Sequence, residues 1–181
     1  MMKPASLLRA ALAACLCAGA APALAASIEV DVFAAAHSYN GGSGGGLATG
    51  IVLASGDSFG VSADPSDDWL VNPSYPGFGA DGIDTLGPYT SAGLTANYSA
   101  LVGRIGASGP YFLVGSAFTG AAAGPGELFL FNWDSNSSDN SGFITATITT
   151  ADAPGADVPL PASAALLPLA LGGLAALRRR G

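Results

Sequence analysis

Apolar and polar residues alternate one for one at both ends of the central segment of this chain, and a period of two is the period of a β-strand. Ile28, Val30 and Val32 alternate with Glu29 and Asp31, and Ile144, Ala146 and Ile148 alternate with Thr145, Thr147 and Thr149. Successive side chains of a strand point to opposite faces, so each stretch has one dry face and one wet one. Further strands are predicted at Thr49–Ala54, Ser58–Ser62, Ser99–Ile105, Tyr111–Gly115 and Glu127–Trp133, separated by Gly, Pro, Asn and Asp clusters that cannot continue a ladder. Seven or eight short strands with no convincing helix predict an all-β fold, an antiparallel sandwich of one domain over residues 27–150. That length is enough to bury a real core.

The two ends of the chain read differently. Lys3 and Arg9 form a basic start, Ala10 to Ala21 is small and apolar, and Pro22 ends that run before Ala23-Leu24-Ala25. This is the layout of a secretory signal peptide over residues 1–25, with Ala23 and Ala25 as the cleavage signal. Leu12-Ala13-Ala14-Cys15 also fits a lipoprotein box. Arg9 leaves too short an apolar stretch before Cys15, however, so cleavage after Ala25 is the favoured expectation. At the other end, residues 151–157 are a linker rich in Ala, Pro and Gly, followed by Val158-Pro159-Leu160-Pro161-Ala162. An apolar run over 162–177 then leads into Arg178-Arg179-Arg180. The run is slightly short of the ~20 residues of a comfortable span, but flanking arginines snorkel and extend its reach, and their charge holds the C-terminus in the cytoplasm. The three-part tail over 158–181 resembles the VPLPA-CTERM sorting signal, a variant of the PEP-CTERM tails of Gram-negative bacteria that make extracellular polymeric material. The resemblance implies an exported protein that is held transiently at the inner membrane, processed by an exosortase-type enzyme, and delivered to the cell surface or matrix. A membrane anchor that is never processed is the alternative.

Both cysteines, Cys15 and Cys17, fall in the expected signal peptide, so the exported part has neither disulfides nor thiol chemistry to draw on. The formal charge of −7 conceals the imbalance of the domain, where Arg104 is the sole basic residue. Set against the 13 acidic residues, which all lie between Glu29 and Asp157, it leaves the exported part near −12. Such a field excludes nucleic acid and anionic lipid as partners and suits a cation binder or a soluble surface protein.

The densest polar run, Asn132-Trp133-Asp134-Ser135-Asn136-Ser137-Ser138-Asp139-Asn140-Ser141-Gly142, lies between two predicted strands. Calcium takes six to eight hard oxygens from carboxylates, amides, carbonyls and water, and alternating Asp, Asn and Ser supply these within a short arc. The spacing is not that of an EF-hand. The same residues also build ordinary turns by bonding their own backbone, so the residues alone leave both readings open. Asn40 to Gly46 is rich in glycine but lacks a following Gly-Lys-Ser/Thr and a helix, and reads as a mobile surface loop.

The stretch Ala100-Leu101-Val102-Gly103-Arg104-Ile105-Gly106, the later Gly126-Glu127-Leu128-Phe129-Leu130-Phe131-Asn132-Trp133-Asp134, and Asp139-Asn140-Ser141-Gly142 before the last strand resemble the PA-IL-like lectins. That family includes galactose-binding, calcium-dependent bacterial lectins. The resemblance implies a small jelly-roll, galactose-binding-domain-like β-sandwich that binds an extracellular polysaccharide or glycan, and the family's habit of forming homo-oligomers. Carried over by position, Asp134 is the aspartate that ligates calcium and meets the sugar, and Asp139 and Asn140 match the paired asparagines of the same site. Asn136 supplies a backbone carbonyl, and so does Trp69. Sugar contact would involve Asp134 and Asp139. The family's sugar-contacting histidine and glutamine are missing from Leu70 to Pro88, and the lone His37 lies far upstream. Trp69, Tyr75, Phe78 and Trp133 are candidates for an apolar wall against a sugar ring, or for ordinary packing.

Paired carboxylates at Asp67-Asp68 and at Asp81 with Asp84 are the one hint of glycoside hydrolysis. Without cysteine or lysine, and with one unplaced histidine, the exported segment lacks the parts of a nucleophilic triad or a Schiff base. The expectation is a non-enzymatic binding module, or a structural or adhesion protein of the matrix without a sugar pocket.

Overall fold

The computed structural model describes residues 26–150. The expected signal peptide with Ala23 and Ala25, the expected linker over 151–157, the Val158 to Ala162 motif and the apolar run over 162–177 lie outside the described residues. No helix among the described residues is long and apolar enough to cross a membrane.

Eleven strands run in order: β1 Ala26–Phe33, β2 Leu47–Leu53, β3 Ser58–Ala63, β4 Trp69–Leu70, β5 Ile83–Ser91, β6 Leu94–Tyr98, β7 Leu101–Ile105, β8 Tyr111–Leu113, β9 Ala117–Ala121, β10 Gly126–Asn132 and β11 Ser141–Thr150. One sheet has the order β1-β11-β3-β9, with β4 pairing the start of β11, and a second has the order β2-β10-β7-β8. All strand pairs are antiparallel. This arrangement is consistent with the β-sandwich read from the sequence.

The period-two segments become β1 and β11, paired in register from Ala26 opposite Thr150 to Phe33 opposite Phe143. Their dry faces meet the inner face of the second sheet. Val32, Val61, Ile144, Ala146 and Ile148 from one side pack with Ile51, Leu53, Leu101, Leu128 and Leu130 from the other. The driving force is ordinary burial, about 1.5–3 kcal/mol for each fully buried aliphatic side chain.

The outer face of the second sheet is covered in part, which the sequence reading did not foresee. Val102, Phe131 and Trp133 on this face pack under Tyr39, Ala96, Tyr89 and Leu94. Much of that cover is the β5–β6 hairpin, which is not among the strands predicted from the sequence. Its turn residues Ala92 and Gly93 both have positive φ, 45° and 83°. Two such residues in succession suit the primed hairpin turns, but alanine is a poor signal for one. Strand β9 was also missed, and β7 starts two residues later than expected because Ser99 has a φ of 63° and breaks the strand.

The glycine-rich segment adds to this cover at its ends, while Gly41, Gly42, Ser43 and Gly45 are on the surface. Tyr39 accepts backbone bonds from Gly42 and Gly44, both 3.0 Å. A Cβ on Gly46 would sit 2.4 Å from the Phe131 ring. Glycine is needed there because the backbone lies directly on an aromatic face.

Candidate functional site

Strand β10 ends at Asn132 and β11 begins at Ser141. The acidic loop therefore lies at one end of the sandwich. Asp134, Asn136, Asp139 and Asn140 share this arc, and β4 brings Trp69 beside it by pairing Trp69 with Gly142. A Cβ on Gly142 would meet the Asp68 carbonyl at 2.9 Å, and its φ is 81°, so this close approach of β4 depends on glycine.

The loop is bound together by its own side chains. Asn136 N–H donates to Asp134 Oδ1 at 3.2 Å, and Asn136 Nδ2 donates to Asp139 Oδ1 at 3.1 Å. The second Asp139 oxygen accepts from Asn72 Nδ2 at 3.3 Å. These are the turn bonds expected of Asp and Asn, so the turn reading of the sequence is also realised.

Three features go beyond turn formation. Asp134 is 6% exposed. Burial pushes its carboxyl above the usual aspartate range, opposed by hydrogen bonds from Asn136, Asn140 and Ser135, while the neighbouring charge of Asp139 pushes it further up. Asn140, 9% exposed, donates Nδ2 to the Ala34 carbonyl at 3.3 Å and leaves its buried Oδ1 without a partner. A buried acceptor with no donor is costly, and such atoms are rare in folded proteins.

Trp69 is fully buried, its carbonyl accepts Phe78 N–H at 3.0 Å, and its indole donates to the Ser99 carbonyl at 2.8 Å. The carbonyl keeps one free lone pair. Trp133 is fully buried too, so neither tryptophan can serve as an apolar wall for a ligand. Tyr75 is exposed, and Phe78 is half-buried.

The glycine-rich segment contributes residues that sequence reasoning did not place here. Ser38 Oγ and Gly41 N–H both donate to the Asp134 carbonyl at 3.4 Å, and Ser137 N–H donates to Asn40 Oδ1 at 3.2 Å. A sequence separation of nearly a hundred residues hides this pairing, and no local pattern signals it.

Among the described residues, no three His, Cys, Asp or Glu side chains converge as a metal group would require. A cation at this loop must therefore draw on amide and carbonyl oxygens as well, as calcium does. The pair Asp134 and Asp139 suits that donor chemistry, and Asn140 of the same loop adds a buried Oδ1 without a partner.

No family model matches the chain, and no curated protein matches it. Among solved structures, it is similar to the EclA N-terminal domain, described as a PllA-like lectin. The two share 19% identity at a TM-score of 0.43, over 67% of this chain and 94% of that one. A likeness of this size decides neither fold nor ligand, and both rest on the residues above.

One carboxylate of each pair considered for hydrolysis is bound to a backbone N–H. Asp67 Oδ2 accepts Thr145 N–H and Asp81 Oδ1 accepts Ser116 N–H, each at 2.7 Å. A cavity of about 580 Å³ opens at the opposite end of the sandwich, lined by Phe59, Phe112, Phe118, Pro110 and Pro125 among other residues, none of them titratable. It is far from the polar chemistry.

Proposed function

We propose that this is an exported, non-enzymatic, calcium-dependent carbohydrate-binding protein with a jelly-roll-like sandwich, which binds a glycan of the cell surface or matrix through the acidic loop. The carrying observation is the buried Asp134 carboxylate, which feels the charge of Asp139 and accepts from the side chain of Asn140, whose own buried Oδ1 has no partner, with no basic side chain bonded to Asp134 among the described residues. Two carboxylates held together in a partly dry site favour a cation between them. Asp134, Asp139, Asn140 and the carbonyls of Asn136 and Trp69 would hold calcium. When bound, the ion would neutralise the two charges and offer open positions to vicinal sugar hydroxyls. The signal peptide, the sorting tail and its exosortase-type partner belong to the same reading and account for delivery to the outside of a Gram-negative cell. Homo-oligomers would multiply weak single sites by avidity.

Thermal melting with calcium and with chelator tests the metal. Calcium should raise the midpoint, and superimposable curves at millimolar calcium would remove the metal from the proposal. A glycan array in calcium then tests the sugar. A matrix or adhesion role without a sugar pocket is favoured by one observation, the complete burial of Trp69 and Trp133. An array with no captured glycan, together with a calcium-stabilised fold, would select that role.

A further inference from the structure

The outer face of the sheet that carries β11 is polar along most of its length. On β1 and β11 the facing pairs are Ser27 with Thr149, Glu29 with Thr147 and Asp31 with Thr145, the last joined by a 3.1 Å hydrogen bond. The rung nearest the acidic loop breaks the pattern: it pairs Phe33 with Phe143, 46% and 40% exposed, their ring centroids 5.5 Å apart. The core does not need these rings, because the adjacent Val32 and Ile144 fill it and are fully buried. Two exposed aromatic rings in contact at the end of a polar face form a small apolar patch that the fold itself does not use.

That surface is continuous with the loop. Ala34, next to Phe33, donates its N–H to the Gly142 carbonyl at 3.0 Å and accepts from the Asn140 amide at 3.3 Å. His37 stands edge-on to Phe33, with centroids 5.8 Å apart, and its Nδ1 accepts Phe33 N–H at 2.9 Å. With Nδ1 used as an acceptor, the proton of the neutral ring is on Nε2, which becomes a hydrogen-bond donor beside the aromatic pair. Apolar rings, a neutral N–H donor and a cluster of oxygens thus lie side by side.

We propose that Phe33 and Phe143 are the stacking platform for the ring of a neutral hexopyranose, with His37 Nε2 donating to a hydroxyl at its edge. This rests on the glycan-binding reading and gives it a substrate class. A pyranose has an apolar C–H face and a rim of hydroxyls, the complement of aromatic rings bordered by polar groups. The sugar is uncharged, because Asp31 beside the platform and the excess of carboxylates over the rest of the domain, which calcium in the loop does not neutralise, repel a carboxylated or sulfated one.

The test compares the protein with Phe33→Thr and Phe143→Thr, which continue the polar rows of β1 and β11 and keep strand propensity, on an array of neutral and acidic glycans in calcium. Each variant should lose tenfold or more in affinity for every glycan that the parent captures while keeping the parent's calcium-dependent rise in melting temperature. Phe143→Tyr should keep binding. Affinities within twofold of the parent would overturn the platform, as would capture of acidic glycans alone. Sedimentation of the same proteins provides a further check: conversion of an oligomer to a monomer by either threonine variant would assign the rings to contacts between copies and overturn the proposal. If the parent itself captures no glycan, the glycan-binding reading fails before the platform variants are compared.

Discussion

Asp134 carries a charge where burial opposes it, and the consequence has a definite sign. Its folded pKa lies above that of a free aspartate. Ionisation therefore costs no stability below the free value, costs more as pH rises between the two values, and costs the full amount above the folded one. In chelator at neutral pH, Asp134→Asn should raise the melting midpoint by about 2–4 °C, because it removes the charge at nearly constant shape. In millimolar calcium the same variant should lose the calcium-dependent rise, so the two curves cross over in rank. Calorimetry at both conditions checks this, and equal calcium responses of the two proteins would show that Asp134 holds no ion. His37 shows the converse: burial lowers its pKa and favours the neutral ring, whose Nδ1 can accept from Phe33. The types and spacing of Asp134, Asn136, Asp139 and Asn140 were legible in the sequence. The free oxygen of Asn140 was not, because whether an amide finds a partner depends on neighbours such as Ala34, 106 residues away.

Among the elements, the β5–β6 hairpin departs most from the sequence reading. Its strands are mixed in polarity, and its turn places Ala92 at a φ of 45°, a conformation that costs an L-residue with a Cβ about 1–2 kcal/mol. Ala92→Asn creates Asn-Gly, the preferred pair for a type I′ turn, and should stabilise the protein by about 1 kcal/mol in chemical denaturation. A loss of stability would mean that the turn is of another type. The strands read correctly, β1, β2, β3, β8, β10 and β11, together with β7 apart from the first two residues predicted for it, are those whose alternation or apolar run arises within one segment. Those missed, β4, β5, β6 and β9, owe their strand state to a partner. β4 has two residues and exists because Gly142 admits it to the start of β11.

At the scale of the molecule, Arg104, the one Lys or Arg among the described residues, faces an excess of carboxylates and forms no ion pair with an acid there. Arg104 lies against Tyr111, Phe129 and Phe131, 5.0–5.5 Å from each ring centroid, and donates to the Tyr111 hydroxyl at 2.8 Å. Repulsion among the acidic groups is therefore opposed mainly by screening. Raising sodium chloride from 0.02 to 0.2 M, which shortens the screening length from roughly 20 to 7 Å, should raise the melting midpoint in chelator by a few degrees. A midpoint independent of salt would show that the carboxylates are already neutralised locally. By itself the sequence determined the β class, the acidity of the domain and the polar composition of the loop, since periodicity and charge are properties of the chain read locally. Tertiary structure alone decided which aromatic rings face solvent. Trp69 and Trp133 were candidates for a ligand wall and are buried, whereas Phe33 and Phe143, unremarked in the sequence, are exposed beside the loop. Composition cannot distinguish these pairs, because an aromatic ring is buried or exposed according to whether a second layer of structure covers its face.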